Sequence, residues 1–307
     1  GGGAAPRPPP TSFPAVKEDR DTSVIGQLID IFKLRIGLFM VITALAGYAV
    51  TPGTTLEPLQ LLILALATLG AAGAAGAFNQ YMEWDLDRLM PRTADRPFVT
   101  GAVPRSPWWL GVIGAILVVS VGAAGWLFNP AVGLHLFLGA FFYGVVYTLW
   151  LKRRTAWNIV IGGAAGSFAV LVGASAADPA LSATSMLLAV VLFLWTPPHF
   201  WALAIAQKAD YEAANVPMLP VVRGDAATAR VILANTVLLV GVSLLPAVFD
   251  MGWVYLTGAV VGGGYFVYRS VLLALSPTHR AAIQCFLSSL VQLALLMAAA
   301  IIDSQLG

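Results

Sequence analysis

The chain is poor in charge. Of its 307 residues only 10% are Asp, Glu, Lys or Arg, while 59% are hydrophobic; a water-soluble domain carries about 25% charged residues. So few solvating groups do not cover a water-facing surface, and a mean hydropathy of +0.82 agrees. A soluble globular enzyme, a coiled coil and a disordered chain are excluded, and a net charge of only +2 gives no reason to expect a nucleic-acid partner. Cysteine is nearly absent as well. The single Cys285 excludes an intrachain disulfide and a cysteine-only metal cluster, and its apolar setting (AAIQCFLSSL) makes it a packed core residue. The opening GGGAAPRPPPTSFPAV lacks a hydrophobic signal-peptide core, so residues 1–23 read as a disordered Gly/Pro-rich tail and 24–307 as a single intramembrane domain.

What remains is long apolar runs. A membrane helix needs about 20 apolar residues, and candidate spans fall at 34–50, 59–78, 107–128, 131–150, 158–177, 184–207, 230–249, 252–275 and 281–302. Runs of this length satisfy their own backbone in hydrocarbon only as helices. The expected fold is therefore all-α, a polytopic membrane bundle of nine transmembrane helices. All 17 Lys and Arg residues lie in the N-terminal segment or in every second loop, whereas TPGTTLEP, NP, ADPALS and DMG contain none. The positive-inside rule then puts the N-terminus in the cytoplasm and requires an odd number of spans. Small-residue runs (AAGAAGA at 71–77, GGAAG at 162–166, GGG at 262–264) lie inside spans and read as close helix contacts, not phosphate loops.

The acids divide differently. Glu57, Asp178, Asp250 and Asp303 lie on the far side and the rest share the cytoplasmic side with the cations. Topology alone does not call for clustered carboxylates, so the chemistry is expected there. In NQYMEWDLDRLMPRTADRP (79–97), Asn79, Glu83 and Asp87 recur every fourth residue. Four residues turn a helix by about 400°, which keeps the three on one face until a helix end expected near Pro91. Hard oxygen donors of this kind suit Mg²⁺, which binds through one or two carboxylates plus substrate phosphates. The neighbouring Arg88, Arg92 and Arg96 suit phosphate oxygens directly. A diphosphate held through Mg²⁺ at a bilayer surface points to a prenyl diphosphate with its tail in hydrocarbon. Two further clusters, KRRTAWN (152–158) and KADYEAANVPMLP (208–220), are weaker alone. In WTPPHFWAL (195–203), two prolines are expected to kink a span that carries His199 among aromatics, and an ionisable group at that depth is a candidate pocket residue.

With these residues in view the chain resembles the UbiA-type intramembrane prenyltransferases, and among them the haem O synthase branch, over residues 24–302. Asn79, Glu83 and Asp87 match N-x-x-x-E/D-x-x-x-D, and Met90, Arg92, Thr93, Arg96 and Pro97 match the extension M-x-R-T-x-x-R-P. LKRRTAWNIVIGGAAG (151–166), WTPPHFWALAI (195–205) and DYEAANVPMLP (210–220) complete the likeness. Where many UbiA-type enzymes carry D-x-x-x-D, Asp210 is followed four positions on by Ala214, which leaves one or two Mg²⁺ ions open. The resemblance implies Mg²⁺-dependent transfer of farnesyl from farnesyl diphosphate to a vinyl group of haem B, with water addition, giving haem O and diphosphate. It implies Mg²⁺ on Glu83, Asp87 and Asp210, with an oxygen contact from Asn79. Arg92, Arg96, Lys152 and Arg153 would balance charge on the leaving group, with Asn158, His199 and Tyr211 in the substrate-binding set. Tyr81, Trp84 and Tyr147 are candidates to face an allylic cation. The implied setting is a bacterial inner membrane, with the site on its cytoplasmic side and a haem A synthase taking the product. The alternatives are a transferase acting on a quinone precursor such as 4-hydroxybenzoate or on chlorophyllide, and a transporter, which would bury acids at mid-membrane in several spans.

Overall fold

The computed structural model describes residues 23–306; the expected tail, apart from Ser23, lies outside the described residues. Eight helices are long and apolar enough to cross a membrane, and a ninth apolar helix is shorter. In chain order they are α1 (Leu34–Ala49), α2 (Pro58–Met82), α3 (Trp108–Leu127), α4 (Pro130–Leu151), α5 (Asn158–Ala177), α6 (Ala183–Ala206), α7 (Asp225–Phe249), α8 (Trp253–Leu275) and α9 (His279–Leu306). Among the described residues there is no strand. At about 1.5 Å per residue, the 16 residues of α1 reach less far than the others. Each expected span coincides with one of these helices to within a few residues at either end.

Three of the helix starts are capped by side chains, which satisfies N–H groups that have no partner within the helix. Asn129 accepts from Val132 N–H to start α4, and Ser182 and Ser185 cap α6 reciprocally at 3.1 Å. The buried carboxylate of Asp303 accepts from Gly252, Val254 and Tyr255 N–H at the start of α8. Inside the membrane α6 carries two buried prolines, and a neighbouring helix answers for the second. Pro198 cannot donate to the carbonyl of Leu194, and Asn235 of α7 fills that place with a side-chain N–H at 2.9 Å. The helix therefore runs unbroken from Ala183 to Ala206.

Sequential helices pack side by side. α6 is the most enclosed and α3 the least; α6 touches α5, α7 and α9, while α1 bridges α2, α5 and α9. The α1–α5 contact is close because Gly47 faces the Val170 carbonyl and Gly173 faces that of Ala44, with no room for a Cβ at either. The last ten residues of α4, Phe142–Leu151, form a π-helix, a widened coil rare outside functional sites.

Gly173→Ala would force α1 and α5 apart. It is expected to cost about 1–3 kcal/mol of overpacking strain, read as a lowered thermal midpoint in detergent. Gly241→Ala, where nothing lies near the added methyl, should not lower the midpoint.

Candidate active site

At one end of the bundle a cavity of about 230 Å³ opens between the start of α1, the end of α2, the π-helical part of α4, the start of α5 and the end of α6. Its polar lining is Lys33, Asn79, Glu83, Asp87, Arg92, Arg96, Lys152 and Thr196; its apolar lining includes Ile36, Ile159, Gly162, Gly163, Phe200 and Leu203. Tyr143, Tyr147 and Tyr211 also border it.

The acidic segment reaches the cavity by a route the sequence did not suggest. Instead of a continuous helix toward Pro91, α2 ends at Met82, Glu83 takes a non-helical conformation, and a single turn follows at Trp84–Asp87. The four-residue register survives because Glu83 N–H still bonds to the Asn79 carbonyl (2.9 Å) and Asp87 N–H to that of Glu83 (2.8 Å). All three side chains therefore enter one pocket. The chain then folds back on itself. Met90 is buried, and the Thr93 hydroxyl donates to the Asp87 carbonyl at 2.8 Å. Pro97 opens a helical turn, which presents Arg92 and Arg96 beside the carboxylates.

Each buried carboxylate is half engaged. Lys152 Nζ donates to Glu83 Oε2 at 2.5 Å, and Arg96 Nη1 donates to Asp87 Oδ2 at 2.6 Å. The other oxygens, Glu83 Oε1 and Asp87 Oδ1, are buried with no hydrogen-bond partner among the described residues. Burying an unmatched anionic oxygen is costly, and two of them bordering one cavity make a set of hard donors for a divalent cation completed by substrate oxygens and water. The donor chemistry fits Mg²⁺. No group of three His, Cys, Asp or Glu side chains assembles among the described residues. Burial pushes the Asp87 carboxyl above its usual range against the pull of Arg96, with Glu83 adding to the rise.

The remaining expected residues separate. Asp210 lies outside the cavity lining, where its carboxylate is 3.8 Å from Arg92, so the three-carboxylate set does not come together. Arg92 also donates to the Tyr211 hydroxyl at 3.2 Å and lies over its ring, which ties the segment after α6 to the one after α2. Arg153 points elsewhere, in a bidentate pair with exposed Asp85 at 2.7 Å. Asn158 is fully buried, donates to the Thr155 carbonyl and does not line the cavity. His199 sits behind Phe200, stacked between Trp195 and Phe286, with Nδ1 held by Ser289 Oγ at 2.6 Å. Of the aromatic candidates only Tyr147 borders the cavity. Tyr81 and Trp84 are covered by Arg105. Several lining residues escaped the sequence reading, Lys33, Tyr143 and Thr196 among the polar ones. Lys33 looked like one topological cation among several, and Tyr143 like one apolar-span aromatic among many.

The profile of the UbiA prenyltransferase family matches residues 40–295. The chain belongs to that family. Among its relatives, protoheme IX farnesyltransferase 2 of Paramagnetospirillum magneticum is 53% identical over 93% of this chain and 99% of the relative. Protoheme IX farnesyltransferase 1 of the same organism is 47% identical over 90% and 98%. A solved UbiA homologue from Archaeoglobus fulgidus, bound to DMAPP and Mg²⁺, shares the fold at a TM-score of 0.66. It covers 88% of this chain and 99% of its own, at 14% identity. In this UbiA-family bundle, the carboxylate segment and its arginines lie within the matched residues, and Lys33 precedes them.

Lys33 provides a pH test. Burial, reinforced by Arg96, lowers its ammonium to about 7, against about 10.4 for an exposed lysine. Between those values the unfolded chain binds more protons, so stability rises as pH climbs through that window. The thermal midpoint in detergent should increase from about pH 7 to about pH 9, and Lys33→Met should flatten the rise. An unchanged slope in the variant would contradict the burial of this charge.

Proposed function

We propose that the chain transfers farnesyl from farnesyl diphosphate to a vinyl group of haem B, with addition of water, releasing haem O and diphosphate. The structural observation that carries the reading is the pair of unpartnered carboxylate oxygens on Glu83 and Asp87, at a cavity ringed by cations and continued by apolar lining. The names of the 53% and 47% identical relatives support farnesyl and haem as the reacting partners. The Mg²⁺ and prenyl diphosphate bound by the Archaeoglobus homologue support the same head-group chemistry.

Glu83 and Asp87 would hold the Mg²⁺, which when bound neutralises charge on the diphosphate and makes it a better leaving group. Asp210 would contribute through Arg92, by orienting the guanidinium toward the head group. Arg92, Arg96 and Lys152 are fixed before substrate arrives, and such preorganised donors stabilise charge as it develops on the leaving oxygen. Ile36, Ile159, Gly162, Gly163 and Leu203 receive the isoprenoid and exclude water. As the farnesyl C1–O bond breaks, its electron pair leaves with diphosphate. The stacked faces of Tyr143 and Tyr147, with centroids 5.7 Å apart, border the allylic cation and favour it by cation–π attraction. The vinyl π pair then forms the C–C bond, and water captures the cation left beside the porphyrin and gives up a proton.

Since Nδ1 of His199 is engaged by Ser289, a haem approaching this side would meet Nε2. Asn158 and Arg153 are assigned a supporting role, in holding the loop that carries Lys152. We place residues 24–307 as one intramembrane domain with all nine apolar helices crossing a bacterial inner membrane. The cation-rich loops and the active site then lie on the cytoplasmic side, and a haem A synthase takes up the product.

Membranes containing the protein should convert haem B and farnesyl diphosphate to haem O, identified by product mass. EDTA should stop the reaction, and 4-hydroxybenzoate should give no prenylated product. Asp87→Ala should lower turnover at least about 10²-fold while the protein remains inserted. Near-normal haem O from that variant, or prenylation of 4-hydroxybenzoate alone, would refute the assignment.

A further inference from the structure

Lys33 occupies an unusual backbone position. It joins a short helix, Val24–Ile31, to α1, and it adopts the left-handed conformation (φ 47, ψ 43) without being glycine. That geometry costs about 1–2 kcal/mol for a side chain with a Cβ, so the surroundings must impose it. They do so from α2. Gly76 leaves room for the turn: a Cβ there would stand 3.2 Å from both the Phe32 carbonyl oxygen and Lys33 Cβ. Gln80, one turn on, donates to the Asp30 carbonyl at 2.7 Å. The small-residue run in α2 thus seats a strained turn and does not only bring two helices together.

The turn delivers an ammonium into the cavity. Lys33 Nζ donates to Asn79 Oδ1 at 2.5 Å and to the Tyr143 hydroxyl at 3.0 Å, which leaves the third N–H for an occupant of the cavity that Lys33 lines. Asn79 is spent in holding it. Its Nδ2 donates to Thr148 Oγ1 at 2.9 Å, and that hydroxyl donates to the Tyr143 carbonyl at 2.8 Å within the π-helical turn. In its charged form, which a bound anion favours, Lys33 offers only donors, so the amide oxygen must face it. We infer that Lys33 is a further binding residue for the diphosphate head group, and that Asn79 is a positioning residue that aims it, not a metal ligand. Thr148 anchors the far side of that amide. The inference rests on the proposed diphosphate site.

The test is binding of inorganic diphosphate in the presence of Mg²⁺, by calorimetry on the full chain in detergent, beside steady-state rates. Lys33→Met should weaken diphosphate binding and raise KM for farnesyl diphosphate about tenfold, with kcat changed less and the Mg²⁺ activation midpoint within about twofold of wild type. Asn79→Ala should show the same pattern, and the double variant should be no worse than either single one, as expected for residues acting as one unit. Should Lys33→Met fail to fold, Lys33→Gly removes the ammonium while suiting the left-handed turn. Thr148→Val should reproduce part of the Asn79 defect. A severalfold shift of the Mg²⁺ midpoint in Asn79→Ala alone, multiplicative losses in the double variant, or wild-type diphosphate binding by Lys33→Met would overturn the inference. Absence of haem O from the wild type would instead sink the function proposed above, leaving the diphosphate comparison to stand.

Discussion

Two carboxylates buried at the edge of a membrane bundle are expensive unless each meets a positive charge, and each does so with one oxygen only. Lys152 takes Glu83 and Arg96 takes Asp87. The partial pairing has two consequences. It makes the acids tolerable in the folded chain, because the cations repay part of the desolvation. It also leaves one oxygen of each acid facing chemistry that the protein has not itself completed. A fully paired site would be more stable and unable to bind a divalent ion, while an unpaired one would hold its acids protonated more readily.

The pairs also bind the fold together. Lys152 follows the π-helical turn of α4 and Glu83 follows α2, so their contact extends the packing of these two helices to their ends. Arg92 does the same between the segments after α2 and α6 through Tyr211 and Asp210. Around these charges the bundle is closed by apolar contacts that admit no extra atom, as at Gly47 and Gly173. Even the backbone carbonyl that Pro198 leaves without a donor is answered from a neighbouring helix by Asn235. Among the buried polar atoms left without a protein partner, Glu83 Oε1 and Asp87 Oδ1 belong to residues that line the cavity, where an incoming ligand can satisfy them.

How far the site could be read in advance depended on the range of the interaction involved. The four-residue spacing of Asn79, Glu83 and Asp87 is a local property and survived a helix break, because two backbone hydrogen bonds bridge it. The arginines of the following loop were found for the same reason. Asp210, Arg153 and Asn158 were grouped with them on motif alone and lie outside the cavity lining, since a charge settles on whichever partner the fold brings nearest. For Arg153 that partner is Asp85. Lys33 went unnoticed because a lysine before an apolar run is what topology requires in any case. Its role depends on Gly76 and Asn79, more than 40 residues away in the chain.

The sequence by itself determined the architecture. Scarcity of charge forces the chain into lipid, lipid forces the backbone into helices, and the breaks between apolar runs set their number and ends. It also determined that a cluster of acids and arginines lies at one end, because spacing along a helix is geometry within a single segment. Tertiary structure alone decided which cation neutralises which acid, which carboxylate oxygens remain open, and which tyrosines face them. Those outcomes depend on distances between residues far apart in the chain, such as Lys152 and Glu83, separated by 69 positions. A charge-assisted hydrogen bond needs its partners within about 3 Å, and only the packing of the helices sets distances that small.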